Sequence, residues 1–155
     1  MSPFPIIHID GPPTQRGRMY GEAASTEIHR SLTFYTKSII PAAGLSWGTL
    51  CDDVMERVPR WAAAEPDLIE EAEGIATGAG LELADVLALN TRGTFVQMGD
   101  EQRDIEPDEG CTSFAVLPEA SRDGHMWTGQ NWDYLKGIQE SIVLVHITPE
   151  AGPRM

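Results

Sequence analysis

Gly110-Cys111-Thr112-Ser113 is the stretch of this chain whose residue types could do covalent chemistry. It closes an acidic, Gly- and Pro-punctuated segment, Gly99 to Gly110, and opens a strand-like run, Thr112 to Leu117. A thiol there can attack the carbonyl of the residue before it, an N-to-S acyl shift. Gly110 has no Cβ, so it hinders that attack least and tolerates a strained backbone. Water would hydrolyse the thioester and free the α-amine of Cys111. An α-amine has a reference pKa of about 7.7–8.0, so it can take and return a proton at working pH. It would then serve as the base for its own thiol, as the amine of an N-terminal Thr does. The competing reading is a structural cysteine buried at the start of a core strand.

The residues after Cys111 supply possible partners. Thr112 to Leu117 reads as a strand, Pro118 to Gly124 as a turn, and His125 to Gln130 as a return strand that runs on into Asn131-Trp132-Asp133. Such a hairpin brings Asn131 and Asp133 back beside Cys111. Side chains alternate along a strand, so Asn131 and Asp133 are expected on one face, an amide and a carboxylate aimed at the thiol and its amine. Turn-capping by Asx side chains is the plainer alternative.

Two motifs carry a resemblance. Gly110-Cys111-Thr112-Ser113-Phe114 and Gly129-Gln130-Asn131-Trp132-Asp133-Tyr134 resemble those of the acyl-coenzyme A:6-aminopenicillanic acid acyltransferase family of N-terminal nucleophile hydrolases. The run Gly11-Pro12-Pro13-Thr14-Gln15-Arg16-Gly17-Arg18-Met19-Tyr20-Gly21-Glu22-Ala23 is similar to that family's glycine-punctuated N-terminal motif. Glu70 to Ala76 resembles its central helix, and Leu87 to Arg92 the helix before the cleavage loop. The resemblance runs from about Ile6 to Ile147. It implies an α+β fold, the four-layer αββα sandwich, with autocatalytic cleavage between Gly110 and Cys111. It implies Cys111 and Asp133 as catalytic, with Asn131, Trp132, Thr112 and Ser113 as substrate-binding or oxyanion support. Acyl transfer or hydrolysis at an amide follows, with no cofactor beyond an acyl-coenzyme A as possible donor.

Members of that family are more than twice as long. The 155 residues are therefore expected to be one incomplete domain, with residues 1–110 as the α-segment and 111–155 as the start of the β-subunit. The cleaved segment would remain as a heterodimer partner. A third strand, with Val143, Val145 and Ile147, is expected to join the hairpin and leave apolar surface at its edge. Such a chain alone is expected to be inactive until its fold is completed.

Composition narrows the partners. The net charge is −13, which repels nucleic acid and anionic membranes. Six of its acids lie between Asp100 and Glu109, a run expected to be a solvated, mobile loop. No apolar stretch reaches membrane-spanning length and no basic-then-apolar signal opens the chain, so a cytoplasmic protein with a small-molecule amide or acyl-donor substrate is expected. Cys51 and Cys111 read as thiols, Cys51 as ordinary packing.

The elements that must position the site are helical first and stranded after. Ile6 to Ile9 is a short strand. A long helix follows, about Thr14 to Ile40, with an apolar stripe at Tyr20, Ala24, Ile28, Leu32, Tyr35 and Ile39, and Pro41 should stop it. Trp47 to Ala64 is a second helix, broken or kinked at Pro59. Pro66 starts a third, which Gly78 to Gly80 end. Leu83 to Met98 is a fourth, with Val86, Leu87, Leu89, Thr94 and Phe95 as core candidates. Helices in a block before strands indicate α+β layers.

Weaker signals remain. His8, His29, His125 and His146 have no metal-ligand spacing, and no metal is expected. Gly17 and Gly21, four residues apart, serve close helix packing better than phosphate binding. Arg92 could pair with an acid across the layers. Trp132 is the tryptophan expected near substrate. The second functional class is a non-catalytic fragment or binding module of the same fold.

Overall fold

In a computed structural model, which describes residues 4–101, 111–132 and 135–149, the chain is a mixed helix-and-strand, α+β assembly. Strand β1, Ile6–Gly11, leads into helices α1, Pro13–Ala23, and α2, Ser25–Phe34. A π-helical turn, Tyr35–Ile39, joins α2 to the short α3, Ile40–Ala42. Helices α4, Trp47–Ala64, α5, Pro66–Ala79, and α6, Leu83–Glu101, follow. The strands β2, Thr112–Val116, β3, Trp127–Asn131, and β4, Leu144–Pro149, come last.

Of the two prolines expected to interrupt helices, Pro41 stands one residue before the helix end at Ala42, and Pro59 does not interrupt its helix. The last helical turn takes in Pro41 and ends at Ala42, and the turn before it is widened: Ile40 N–H donates to the Tyr35 carbonyl, five residues back. That shift takes up the bond a proline cannot make and relieves the clash of its ring with the preceding turn. Pro59 lies inside the uninterrupted α4, on its exposed side. Other local signals act as their chemistry requires. Ser46 caps α4 by accepting from Thr49 N–H at 3.1 Å. Pro66 occupies the first turn of α5, and Gly80 ends that helix at φ 69°, where a Cβ would be strained.

The apolar stripe of the first helical stretch packs inward. Ala24, Ile28 and Tyr35 are buried, while Tyr20 and Ile39 pack against the core from its edge. Val86 and Leu87 are buried with them, but Thr94 is exposed and is not a core residue. The side chain of Phe95 lies outside the described residues.

The closest helix contact is α1 on α5. Gly17 and Gly21 of α1 face Gly74 and Gly78 of α5. A Cβ at any of the four would come within 3.0 Å of the other helix's backbone, Gly17 at Glu71 and Gly78 at Arg18. Glycine at these positions lets the two backbones touch. Arg16 then reaches Glu71, with Nη2 at 2.6 Å and Nε at 2.7 Å from the same carboxylate oxygen, in a mostly buried pairing.

The strands form two separate pairs, not the expected three-stranded sheet. β2 and β3 are antiparallel, and β4 lies parallel to β1 instead of extending the hairpin. The reason is apolar alternation. Ile7 and Ile9 of β1 are buried on one face, beside Val145 and Ile147 of β4 and against Ala24 and Ile28. β4 therefore gains an apolar partner surface that the exposed hairpin does not offer.

Candidate functional site

Cys111 stands immediately before β2 as an exposed free thiol. The expected structural alternative, a buried cysteine, does not hold. The hairpin is the one expected from sequence, with β2 and β3 joined through Pro118–Ala120 and a turn at Arg122 to Gly124. Asp123 organises that turn. Its Oδ1 accepts from Trp127 Nε1 at 3.0 Å and from His125 N–H at 3.2 Å, and these bonds hold its carboxyl below the usual range.

The register sets the site's geometry. Thr112 is paired with Asn131, and Ser113 with Gln130. Asn131 is brought back to the start of β2, opposite the residue that follows Cys111, and shares the pleat face of Thr112, with Phe114 and Gly129 further along the same face. The ring of Phe114 lies over Gly129, 2.5 Å from where a Cβ would be. Ser113 falls on the alternate face with Gln130. Asn131, Thr112 and Ser113 are all exposed. Gly110 and Asp133, the other half of the expected cleavage bond and the expected orienting carboxylate, lie outside the described residues.

Trp132 links the hairpin to the helical body. It lines a cavity of about 350 Å³ whose other walls include Tyr20, Glu27, Asn90, Arg92 and Ile138. Burial, and then the Glu27 carboxylate, push the Tyr20 phenol up from its ordinary value. Arg92 does not pair with an acid across the layers, among the described residues. Its guanidinium sits over the ring of Tyr35, 4.8 Å from the centroid, and Nη1 donates to the Leu89 carbonyl. Arg92 Nε is buried with no hydrogen-bond partner. A second, larger groove, about 860 Å³, lies between α2 and the 3₁₀ turn Lys136–Ser141 and contains none of the expected site residues.

The two thiols are chemically unlike. Burial, then the carboxylates of Asp85 and Asp52, push Cys51 up to about 11. A thiol held so high is almost wholly protonated at neutral pH, and the thiolate is the nucleophile. Cys51 is a packing residue, and Cys111 is the thiol in the open.

The acidic segment divides. Helix α6 runs on through Gly99, Asp100 and Glu101, three residues beyond the expected end at Met98, so the loop does not begin at Gly99. The rest of the expected loop, residues 102–110, lies outside the described residues. Sequence spacing also missed one juxtaposition: β1 and β4 bring His8 and His146 side by side, 138 positions apart.

No family model matches the chain. It is 30% identical over 157 aligned residues to the acyl-coenzyme A:6-aminopenicillanic-acid-acyltransferase 40 kDa form of Emericella nidulans. The two are distantly related. That alignment covers 96% of this chain and 40% of the fungal protein, so the chain spans two fifths of the length of this curated relative. No helix among the described residues is long and apolar enough to cross a membrane.

Proposed function

We propose that this chain carries the maturation site and nucleophile of a cysteine N-terminal nucleophile enzyme that transfers or hydrolyses an acyl group at an amide bond. The observation that carries the reading is the exposed free thiol of Cys111, immediately before a β2–β3 hairpin whose register pairs Thr112 with Asn131. The distant relationship to an acyltransferase supports the reaction class.

The chemistry proceeds in two stages. In maturation, the Cys111 thiolate attacks the Gly110 carbonyl carbon, and the carbon–nitrogen bond breaks as the thioester forms. The leaving nitrogen takes a proton and becomes the α-amine of Cys111. Water cleaves the thioester and leaves Gly110 as a carboxylate. In turnover, the α-amine takes the thiol proton, and Sγ attacks the substrate's acyl carbon. The departing amine receives that proton, and a thioester remains on Cys111. An amine acceptor completes transfer, and water completes hydrolysis. An acyl-coenzyme A can load the same thioester by thiol exchange. Asp133 would orient the α-ammonium, and Asn131 would donate to the tetrahedral oxyanion. Thr112 and Ser113 would support the acyl group, and Trp132 would wall the leaving part.

Intact mass after incubation tests this, on the chain and on a form extended to the length of the fungal relative. Separation between Gly110 and Cys111 in the unaltered extended protein, and its absence in Cys111→Ala, is the expected result. Cleavage of the alanine variant at the same bond would sink the mechanism. An extended protein that remains whole and inactive would leave the binding-module reading.

A further inference from the structure

We propose that His8 and His146 form a two-histidine site for a borderline divalent transition ion, of the zinc, nickel or copper class, that staples β1 to β4. The two residues are direct register partners in the parallel pair. Ile7 and Ile9 on either side of His8, and Val145 and Ile147 on either side of His146, pack into one apolar cluster, so alternation turns both imidazoles to the opposite, exposed face. The rings meet edge-on, with centroids 5.0 Å apart and planes at 67°. Their Nδ1 atoms are 3.1 Å apart.

That separation fits adjacent ligands of one ion. Imidazole nitrogens bind zinc at about 2.0–2.1 Å, so a shared ion would see the two nitrogens at an angle of about 95–102°. This lies between octahedral and tetrahedral values, and small ring rotations would aim both lone pairs at the ion. Without an ion, one Nδ1–H donates to the other Nδ1. With an ion, that proton moves to Nε2 of its own ring through water, and both Nδ1 atoms become ligands with no net proton release. Imidazole selects zinc, nickel and copper over magnesium and calcium. Among the described residues no third His, Cys, Asp or Glu completes a cluster, so water fills the other positions and the site is open. Its effect is structural: it ties a strand near the start of the chain to one 138 positions later. The site does not depend on the proposed acyl chemistry.

The test is titration of Zn²⁺ into the Cys111→Ser chain, which removes the exposed thiol as a competing ligand. Calorimetry should give one equivalent that His8→Gln and His146→Gln each abolish, and that His29→Gln and His125→Gln leave intact. Zn²⁺ at about a hundredfold over its Kd should raise the Tm by about 5–10 °C in the parent and in neither of the first two variants. Mg²⁺ should do nothing. Binding retained in both His8→Gln and His146→Gln would overturn the site. Should those variants fail to fold, nitrogen-15 signals of the imidazoles in the parent decide. Movement of both Nδ1 signals with one equivalent supports the staple, and their constancy refutes it.

Discussion

Gly17→Ala should destabilise the chain by about 2–4 kcal/mol, although alanine is the better helix former. The structure sets two opposed effects. Replacing a helical glycine by alanine is intrinsically favourable by about 0.8–1 kcal/mol. Against this, the new Cβ would press on the Glu71 main chain, 2.9 Å from its carbonyl carbon and nearer still to its oxygen. Main chain cannot rotate away as a side chain can, so α1 and α5 must part by about 1 Å, and the contact loses dispersion along its length. Overpacking of well-packed interiors costs about 1–3 kcal/mol and occasionally more, and a backbone-on-backbone clash belongs at the high end. The separation also stretches the Arg16–Glu71 pair, with its 2.6 Å and 2.7 Å contacts. Gly78→Ala should behave alike, since its Cβ would meet Arg18 and Glu22 of α1. Gly93→Ala is the control. It lies within α6 with nothing within 4 Å of a Cβ, so the same change should stabilise by about 0.5–1 kcal/mol. Urea unfolding followed by far-UV circular dichroism reads all three, and the first two should lower the Tm by about 5–15 °C. If Gly17→Ala were neutral or stabilising, with the Gly93→Ala gain intact, the close approach of α1 and α5 would be refuted.

Two further predictions concern the thiols and the proposed role of Asp133. With the Cys51 thiol raised to about 11, only about a thousandth of it is thiolate at pH 8, so iodoacetamide should modify Cys111 first. Cys51 should gain reactivity as pH climbs toward 11 or on unfolding, which peptide mass mapping against pH would show; equal rates at pH 8 would contradict its environment. Asp133→Asn in an extended, matured enzyme should lower turnover by tenfold or more with little change in Tm, as loss of an orienting charge does. Undiminished turnover after complete cleavage would remove Asp133 from the mechanism.

What the sequence could show follows from the range of each interaction. The hairpin was legible because its signals are local: apolar runs flanking Pro118 and Gly124, with the returning strand fixed in register by the turn. The glycine pair Gly17 and Gly21 was legible as a packing motif, but its partners Gly74 and Gly78 look like ordinary helix glycines until α5 is laid on α1. Pro41 marked the helix end to within one residue, but the π turn before it was not encoded by any residue type read in isolation. β4 misled for a longer-range reason. Val145 and Ile147 alternate as any half-buried strand does, and alternation names a face without naming the neighbour that will cover it. The neighbour is β1, more than 130 positions away, because Ile7 and Ile9 bury against the same helices. That pairing is also what brings His8 to His146, a contact that linear spacing could never reveal. The candidate site divides the same way. The return of Asn131 to the start of β2, opposite Thr112, comes from a short hairpin and could be read directly. The cavity behind Trp132 could not, because its walls come from α1, α2, α5, α6 and the segment before β4, and only the packing of all five defines it.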